Sequence, residues 1–284
     1  MTYETLLKIA YKKTNTQNKE EEAAKLLLME LSKQEPHQFF SNFKKEVPQK
    51  LETEFLDKLD QYLLLNIPVQ HLIGYSYFYG YKINVNNHVL IPRGETEQLV
   101  EHVLFYYDKY FVDQKVDVLD LGTGSGCIGL ALSLEEENMN VIISDISEDA
   151  LKVAKDNQQN LGAKVQIVQS DLFNNIKNTF DIIVSNPPYI PDTETVQDIV
   201  SKEPKVALYG GLLGVDFYEK IMMSSKSYLN ENALIAFEHG FQQKQRIFEI
   251  AQEHFPNAHI IQVKDLAGKD RFTFIGIGNV LHLE

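Results

Sequence analysis

The stretch Val116-Asp117-Val118-Leu119-Asp120-Leu121-Gly122-Thr123-Gly124-Ser125-Gly126 decides the fold. An apolar run of strand length passes into glycines at alternate positions, and a helical pattern opens near Cys127. Such glycines let the backbone turn sharply and come close to a ligand, while the first helical turn offers unpaired N–H groups. A nucleotide-like ligand suits that corner. Asp145 closes the next apolar run, where a carboxylate can accept hydrogen bonds from both hydroxyls of a ribose. The plainer reading is that Asp145 caps the following helix, with Glu148 at capping-box spacing.

Outward from this corner, short apolar runs alternate with helical segments, the pattern of a parallel sheet covered on both faces. Strands are expected at 116–121, 141–144, 165–169, 181–185, 233–237, 260–263 and 272–277. Only eight residues separate the last two, too few for a crossover helix, so that pair should be antiparallel. The expected architecture is α/β: a seven-stranded, doubly wound, mostly parallel sheet of Rossmann-like type with an antiparallel last strand. Upstream, Tyr3 to about Asn66 is rich in Leu, Glu, Lys and Gln, has no glycine and is punctuated by Pro36 and Pro48, which reads as a small helical bundle. Between Pro68 and Pro92, aromatic and β-branched residues with an Asn86-Asn87 turn candidate read as a β-hairpin joining the two parts. Tyr75, Tyr77, Phe78, Tyr79 and Tyr81 are expected to pack between domains, and a helix should run from about Glu95 to Tyr110. The division is therefore 1–70 helical, 71–92 hairpin linker and 93–284 α/β domain.

Gly124, Gly126 and Gly129 also satisfy G-x-G-x-x-G, so a dinucleotide competes on glycines alone. Asp120 argues against pyrophosphate, which it would repel, and for a ligand with a cationic amino-acid end, attracted directly or through water. Asp171-Leu172, at the end of the third strand, opens on the same crevice. There Asp171 can accept from an adenine amino group, with Leu172 and Phe173 offering apolar contact. After the fourth strand comes Ser185-Asn186-Pro187-Pro188-Tyr189. Prolines lack N–H groups, so this corner displays acceptors: the Asn186 side-chain oxygen and the Pro187 carbonyl can take both hydrogens of a planar –NH2 group, with Tyr189 against its flat face. His239 reads as a solvated loop histidine, and no dedicated base stands out.

Gly122–Gly126 with Asp145 resembles the cofactor site of class I S-adenosylmethionine-dependent methyltransferases, and N-P-P-Y resembles the branch that methylates amide or exocyclic amino nitrogens. Pro68–Gly74, Ile91-Pro92-Arg93-Gly94-Glu95-Thr96-Glu97, Glu203-Pro204 and Lys264–Arg271 are similar to stretches of the release factor glutamine methyltransferase family. Gly94 stands where that family's P-R-P-E-T-E has its second proline. The resemblance implies S-adenosyl-L-methionine as donor and S-adenosyl-L-homocysteine as product. It implies the glutamine of the Gly-Gly-Gln loop of bacterial class 1 peptide chain release factors as substrate, and no metal. The implied residues are Gly122, Thr123, Gly124, Ser125, Gly126, Asp145, Asp171, Leu172 and Asn186 for the cofactor, and Asn186, Pro187, Pro188 and Tyr189 for catalysis. A ribosomal-protein glutamine methyltransferase, a DNA adenine-N6 methyltransferase and a nonenzymatic binding module remain as alternatives.

Composition narrows the partners. Of the net charge of −13, residues 1–70 hold 10 Lys/Arg and 11 Asp/Glu, leaving 17 and 29 to the remainder, so the α/β part is acidic. Nucleic-acid binders draw affinity from Lys and Arg on phosphates, so no direct nucleic-acid partner is expected. No apolar stretch reaches membrane-spanning length, the start has no leader pattern, and the single cysteine, Cys127, fits a reducing compartment. A monomer in the cytoplasm, away from membranes, is the expectation.

Overall fold

In a computed structural model, residues 1–282 are described; Leu283 and Glu284, the end of the expected 93–284 domain, lie outside them. The chain forms two compact units, one made of Met1–Tyr75 with Val196–Lys202 and the other of Ser76–Thr195 with the chain from Glu203 onward.

The first unit is helical: α1 (Tyr3–Thr16), α2 (Glu21–Ser32), α3 (Pro36–Ser41), α4 (Gln49–Leu65) and α5 (Val69–Ile73). The prolines start helices here, where a missing N–H costs nothing: Pro36 opens α3, and Pro48 immediately precedes α4. Leu6, Leu27, Leu28, Phe39, Phe55 and Leu59 form its fully buried core. Ile199, from the returning segment Val196–Lys202, packs on the same cluster.

The hairpin is shorter than 68–92. Its strands are β1 (Tyr75–Phe78) and β2 (Tyr81–Asn84), and residues 69–73 are helical. It turns at Tyr79-Gly80, not at Asn86-Asn87, which form a separate turn further on. Both turn residues have positive φ (52° and 79°), the requirement of a two-residue hairpin loop that normally selects Asn-Gly. Tyr79 accepts that conformation because its N–H is held by Glu97 Oε1 at 2.9 Å and its ring rests on the core. The expectation that the aromatics pack between domains gives way to a local role for three of them. Phe78 is buried in the second unit's own core with Tyr79 and Tyr81 against it, and Tyr77 is exposed.

The rest of that unit alternates as expected: α6 (Gly94–Tyr110), β3 (Val116–Leu121), α7 (Cys127–Glu135), β4 (Met139–Asp145), α8 (Glu148–Leu161), β5 (Val165–Gln169), β6 (Phe180–Ser185), α9 (Asp216–Ser225), β7 (Leu229–Glu238), α10 (Lys244–His254), β8 (His259–Lys264) and β9 (Asp270–Ile277). The sheet order is β5-β4-β3-β6-β7-β9-β8, with β9 inserted antiparallel between β7 and β8 and the other pairings parallel. Period-2 alternation sorts the strand residues between two cores. Val118, Ile143, Val184 and Ala236 join α6, α7 and α8 on one face, while Leu119, Ile183, Ile235 and Phe237 join α9 and α10 on the other. This arrangement brings the carboxyl ends of β3, β4, β5, β6 and β7 to one rim, with the order reversing between β3 and β6. No helix among the described residues is long and apolar enough to cross a membrane.

Candidate active site

A cavity of about 1140 Å³, its open mouth included, lies along this rim. Gly122, Thr123, Gly124, Ser125, Asp145, Asp171, Leu172, Asn186, Pro187 and Pro188 all line it. Of the residues expected from the sequence, Gly126 and Tyr189 do not.

The glycine side is built by local backbone bonds. Gly122 and Thr123 N–H both donate to the Ser144 carbonyl (2.8 and 2.9 Å), which ties the turn after β3 to the end of β4. Asp145 Oδ2 accepts from Gly124 N (2.9 Å) and its Oδ1 from Ser147 N (2.9 Å); burial raises its pKa. The side-chain cap of α8 is Ser147, whose hydroxyl accepts from Ala150 N, so Asp145, which holds Ser147 N and the glycine turn, is not itself that cap and lines the cavity. Asn157, buried on α8, donates to the Ser125 and Asn84 carbonyls and accepts from Asn84 N, bracing turn and hairpin together. Gly126 is the residue preceding α7, at φ 86°, where a Cβ would meet Leu130 Cδ1 at 2.9 Å. It seats the helix and does not line the cavity. At Gly129 a Cβ would lie 2.3 Å from Ile143 Cγ2, so the third glycine of the G-x-G-x-x-G match serves close packing of α7 on β4.

Asp120 departs from expectation. It is fully buried and absent from the cavity wall. Its Oδ2 accepts from Thr123 Oγ1 and from Gly129 N (2.9 Å), so it clamps the turn from beneath, while its Oδ1 has no hydrogen-bond partner among the described residues. Burial pushes its pKa up to about 6. Leu172 reaches the cavity with φ at 48°, a conformation costly for a branched residue, stabilised by Ser170 Oγ donating to its carbonyl (2.7 Å). Phe173 instead stacks on Tyr228 in the core, 4.7 Å between ring centres. His239 is not a solvated loop histidine: it is fully buried, with Nδ1 3.0 Å from the Gly240 carbonyl.

The Asn-Pro-Pro-Tyr side is built by residues far away in sequence. Ser185 Oγ donates to the Leu121 carbonyl (2.6 Å), joining the ends of β6 and β3. Asn186 Nδ2 donates to Thr96 Oγ1 (3.2 Å), and Thr96 Oγ1 donates to Glu238 Oε2 (2.7 Å). Glu238, at the end of β7, is fully buried, and desolvation pushes its pKa up to about 7. The Tyr189 carbonyl accepts from Gln243 Nε2 (2.7 Å), and a Cβ on Gly210 would lie 2.2 Å from the Pro188 oxygen. Among the described residues no donor takes the Pro187 carbonyl. Tyr189 is half-buried against the α9/α10 core, and burial with the nearby Glu238 charge raises its hydroxyl to about 12. Arg93 reaches the cavity wall while paired to buried Glu203, which also accepts from Ile91 N (2.8 Å). Glu238 and Gln243 were not singled out from the sequence, and Thr96, Arg93 and Glu203, though they fall in stretches similar to the family, receive from it neither a role nor the Arg93–Glu203 pairing. For Glu238 the available signal was an acidic residue ending the otherwise apolar run Ala233–Phe237.

A family model described as the methyltransferase small domain matches residues 99–242. A release factor glutamine methyltransferase of Bacillus cereus is 38% identical over 262 residues, covering 90% of this chain and 92% of that protein. This chain belongs to the release factor glutamine methyltransferase family. The Bacillus subtilis member is 37% identical over 260 residues, covering 89% of this chain and 90% of its own. A crystal structure of a Pyrococcus furiosus methyltransferase, 17% identical, superposes with a TM-score of 0.52 over 81% of this chain and all of that one, a likeness of fold. The residues fit the family's donor, S-adenosyl-L-methionine. A Cβ at Gly122 or Gly124 would meet nothing within 4 Å, so the turn faces open cavity, and Asp145 stands beside it with lone pairs to spare.

Proposed function

We propose that this protein transfers a methyl group from S-adenosyl-L-methionine to the side-chain amide nitrogen (N5) of the glutamine in the Gly-Gly-Gln loop of class 1 peptide chain release factors. The reading is carried by one observation: Asn186 gives an amide N–H to Thr96, which leaves its Oδ1 as an acceptor on a residue that lines the same cavity as Pro187, whose carbonyl takes no donor among the described residues, and the glycine turn.

Bound along the glycine turn and Asp145, S-adenosyl-L-methionine would supply an electrophilic sulfonium methyl, with the electron pair of the C–S bond staying on sulfur in the product S-adenosyl-L-homocysteine. The protein's task is the nucleophile. An amide nitrogen is poor because its lone pair is shared with the carbonyl. Asn186 Oδ1 and the Pro187 carbonyl accept its two N–H groups, orient the nitrogen and stabilise the positive charge that grows on it. Pro187 and Pro188 stiffen the corner. Tyr189 anchors its exit through its carbonyl, which accepts from Gln243 Nε2, and its ring is assigned to the flat face of the carboxamide. The proton leaves to solvent after transfer. Asp145 receives the ribose hydroxyls, Gly122–Ser125 the amino-acid end, and Asp171 and Leu172 the adenine; Gly126 holds α7 in place. The helical unit recognises the release factor, and the enzyme works as a cytoplasmic monomer without nucleic acid.

The test incubates labelled donor with purified release factors, with and without the loop glutamine replaced, followed by mass-spectrometric mapping. One methyl on that glutamine, lost with the replacement, is the expected result. Label on a ribosomal protein or on DNA instead would overturn it, and light scattering checks the monomer.

A further inference from the structure

We propose that Thr96 and Glu238 are positioning residues that fix which end of the Asn186 carboxamide faces the substrate. The inference rests on the reading that Asn186 Oδ1 accepts from the substrate amide, and it explains how that oxygen comes to point outward.

A carboxamide is nearly symmetric in shape, so packing alone distinguishes its oxygen from its NH2 poorly. Hydrogen-bond polarity does so. An ionised carboxylate only accepts. Ionised Glu238 Oε2 therefore accepts the hydrogen bond of the Thr96 hydroxyl, which leaves Thr96 Oγ1 with only lone pairs to offer Asn186. Only the Nδ2 end of Asn186 can satisfy those lone pairs, and Oδ1 is left to the cavity. The three groups come from α6, the end of β7 and the loop after β6; Glu238 and Thr96 are buried, which strengthens the bond between them, while Thr96 and Asn186 line the cavity wall.

The arrangement has a reversed counterpart. A protonated Glu238 would donate to Thr96 Oγ1, the Thr96 hydroxyl would then donate to Asn186, and the carboxamide would turn its NH2 to the substrate, where two donors face two donors. Charged and titratable groups around Glu238 are Glu95 on α6, Cys127 on α7, Tyr189 after β6, Tyr218 on α9, whose hydroxyl donates to the Glu238 carbonyl, His239 next in the chain, and Arg271 on β9. Burial, and after it Glu95, oppose the ionised form; the hydrogen bond from Thr96, then Arg271 and a hydrogen bond from Asn186 itself, favour it.

The experiment measures kcat, KM for release factor and donor affinity by calorimetry for Thr96→Val, Thr96→Ser, Glu238→Gln and Asn186→Ala, with thermal melts to verify folding. Thr96→Val keeps the shape and removes the hydroxyl: kcat should fall at least 30-fold with donor affinity within threefold, and Thr96→Ser should recover most of the loss. With the wild-type enzyme saturated in donor, kcat should decline on the acid side of about pH 7; Glu238→Gln should flatten that limb at a several-fold lower plateau. A folded Thr96→Val enzyme with kcat within threefold of wild type overturns the proposal while leaving the acceptor reading intact. A Glu238→Gln enzyme that keeps the acid limb overturns it too. If Asn186→Ala itself retains turnover, the acceptor reading falls first. An acid limb seen only in donor affinity would belong to Asp120 beneath the glycine turn, and would count against Glu238 as its source.

Discussion

The two sides of the cavity are made in opposite ways. The glycine turn is assembled from neighbours along one strand-turn-helix-strand unit: Thr123 bonds Asp120 three residues away and Gly124 bonds Asp145, 21 residues away. The Asn186 corner is assembled from strangers: Thr96 lies 90 residues upstream, and Glu238 lies 142 residues beyond Thr96. The first side relies on backbone groups and needs glycine to expose them. The second relies on side chains whose hydrogen-bond direction must be imposed from outside. Binding a donor and orienting a weak nucleophile make different physical demands, and the two constructions follow them.

The largest effect should come from the second side alone. Asn186→Ala removes a preorganised acceptor, which is worth roughly 10²–10³ in kcat, and should leave donor affinity by calorimetry unchanged. Turnover within a few-fold of wild type would erase the division of labour. Next, Glu238→Gln should set stability against activity. Because the folded pKa of Glu238 lies above its unfolded value, the protonated form is the one the fold favours. That contribution is fully present below about pH 4.5 and is lost as pH rises through about 7. At pH 8 the neutral isostere should therefore raise stability by up to about 3 kcal/mol, read as a higher melting temperature that converges with wild type in acid. A lower melting temperature at pH 8 would mean that the Thr96 bond outweighs desolvation.

On the first side, Asp145→Ala removes an acceptor that both shapes the turn and faces the ligand. Donor affinity should weaken by about 1.5–3 kcal/mol, with kcat at saturating donor nearly unchanged; an unaltered calorimetric affinity contradicts the ribose assignment. The smallest effect concerns neither side's chemistry. Gly94 opens α6, the preceding Arg93 is extended (φ −109°, ψ 151°), and a Cβ on Gly94 would touch nothing. Proline fits such a first helical position, and extended backbone suits the residue before it. Gly94→Pro should add about 0.4–1 kcal/mol of stability by restricting the unfolded chain, without altering kcat in a methylation assay.

Much of the architecture was legible because it is written in short-range pattern. Apolar runs of strand length and the short gap between 263 and 272 implied the seven strands and the antiparallel end. The hairpin turn was misread because Tyr79 takes a left-handed conformation that its own chemistry disfavours; Glu97 and the core beneath hold it there. The burial of Asp120 and His239 was not legible for a related reason. A polar residue at a strand end looks the same in sequence whether it faces solvent or lies beneath a helix.

By itself, the sequence determined the elements, the glycine turn with its acidic partner at the next strand end, and the acceptor-rich Asn-Pro-Pro-Tyr corner, because each is governed by bonds and dihedrals a few residues apart. Only the tertiary structure decided that Asp120 faces inward, that Gly126 supports a helix, and that Asn186 is held by Thr96 and Glu238. Those outcomes depend on which strands become neighbours and which side chains lose water, and neither is encoded within any single stretch of chain.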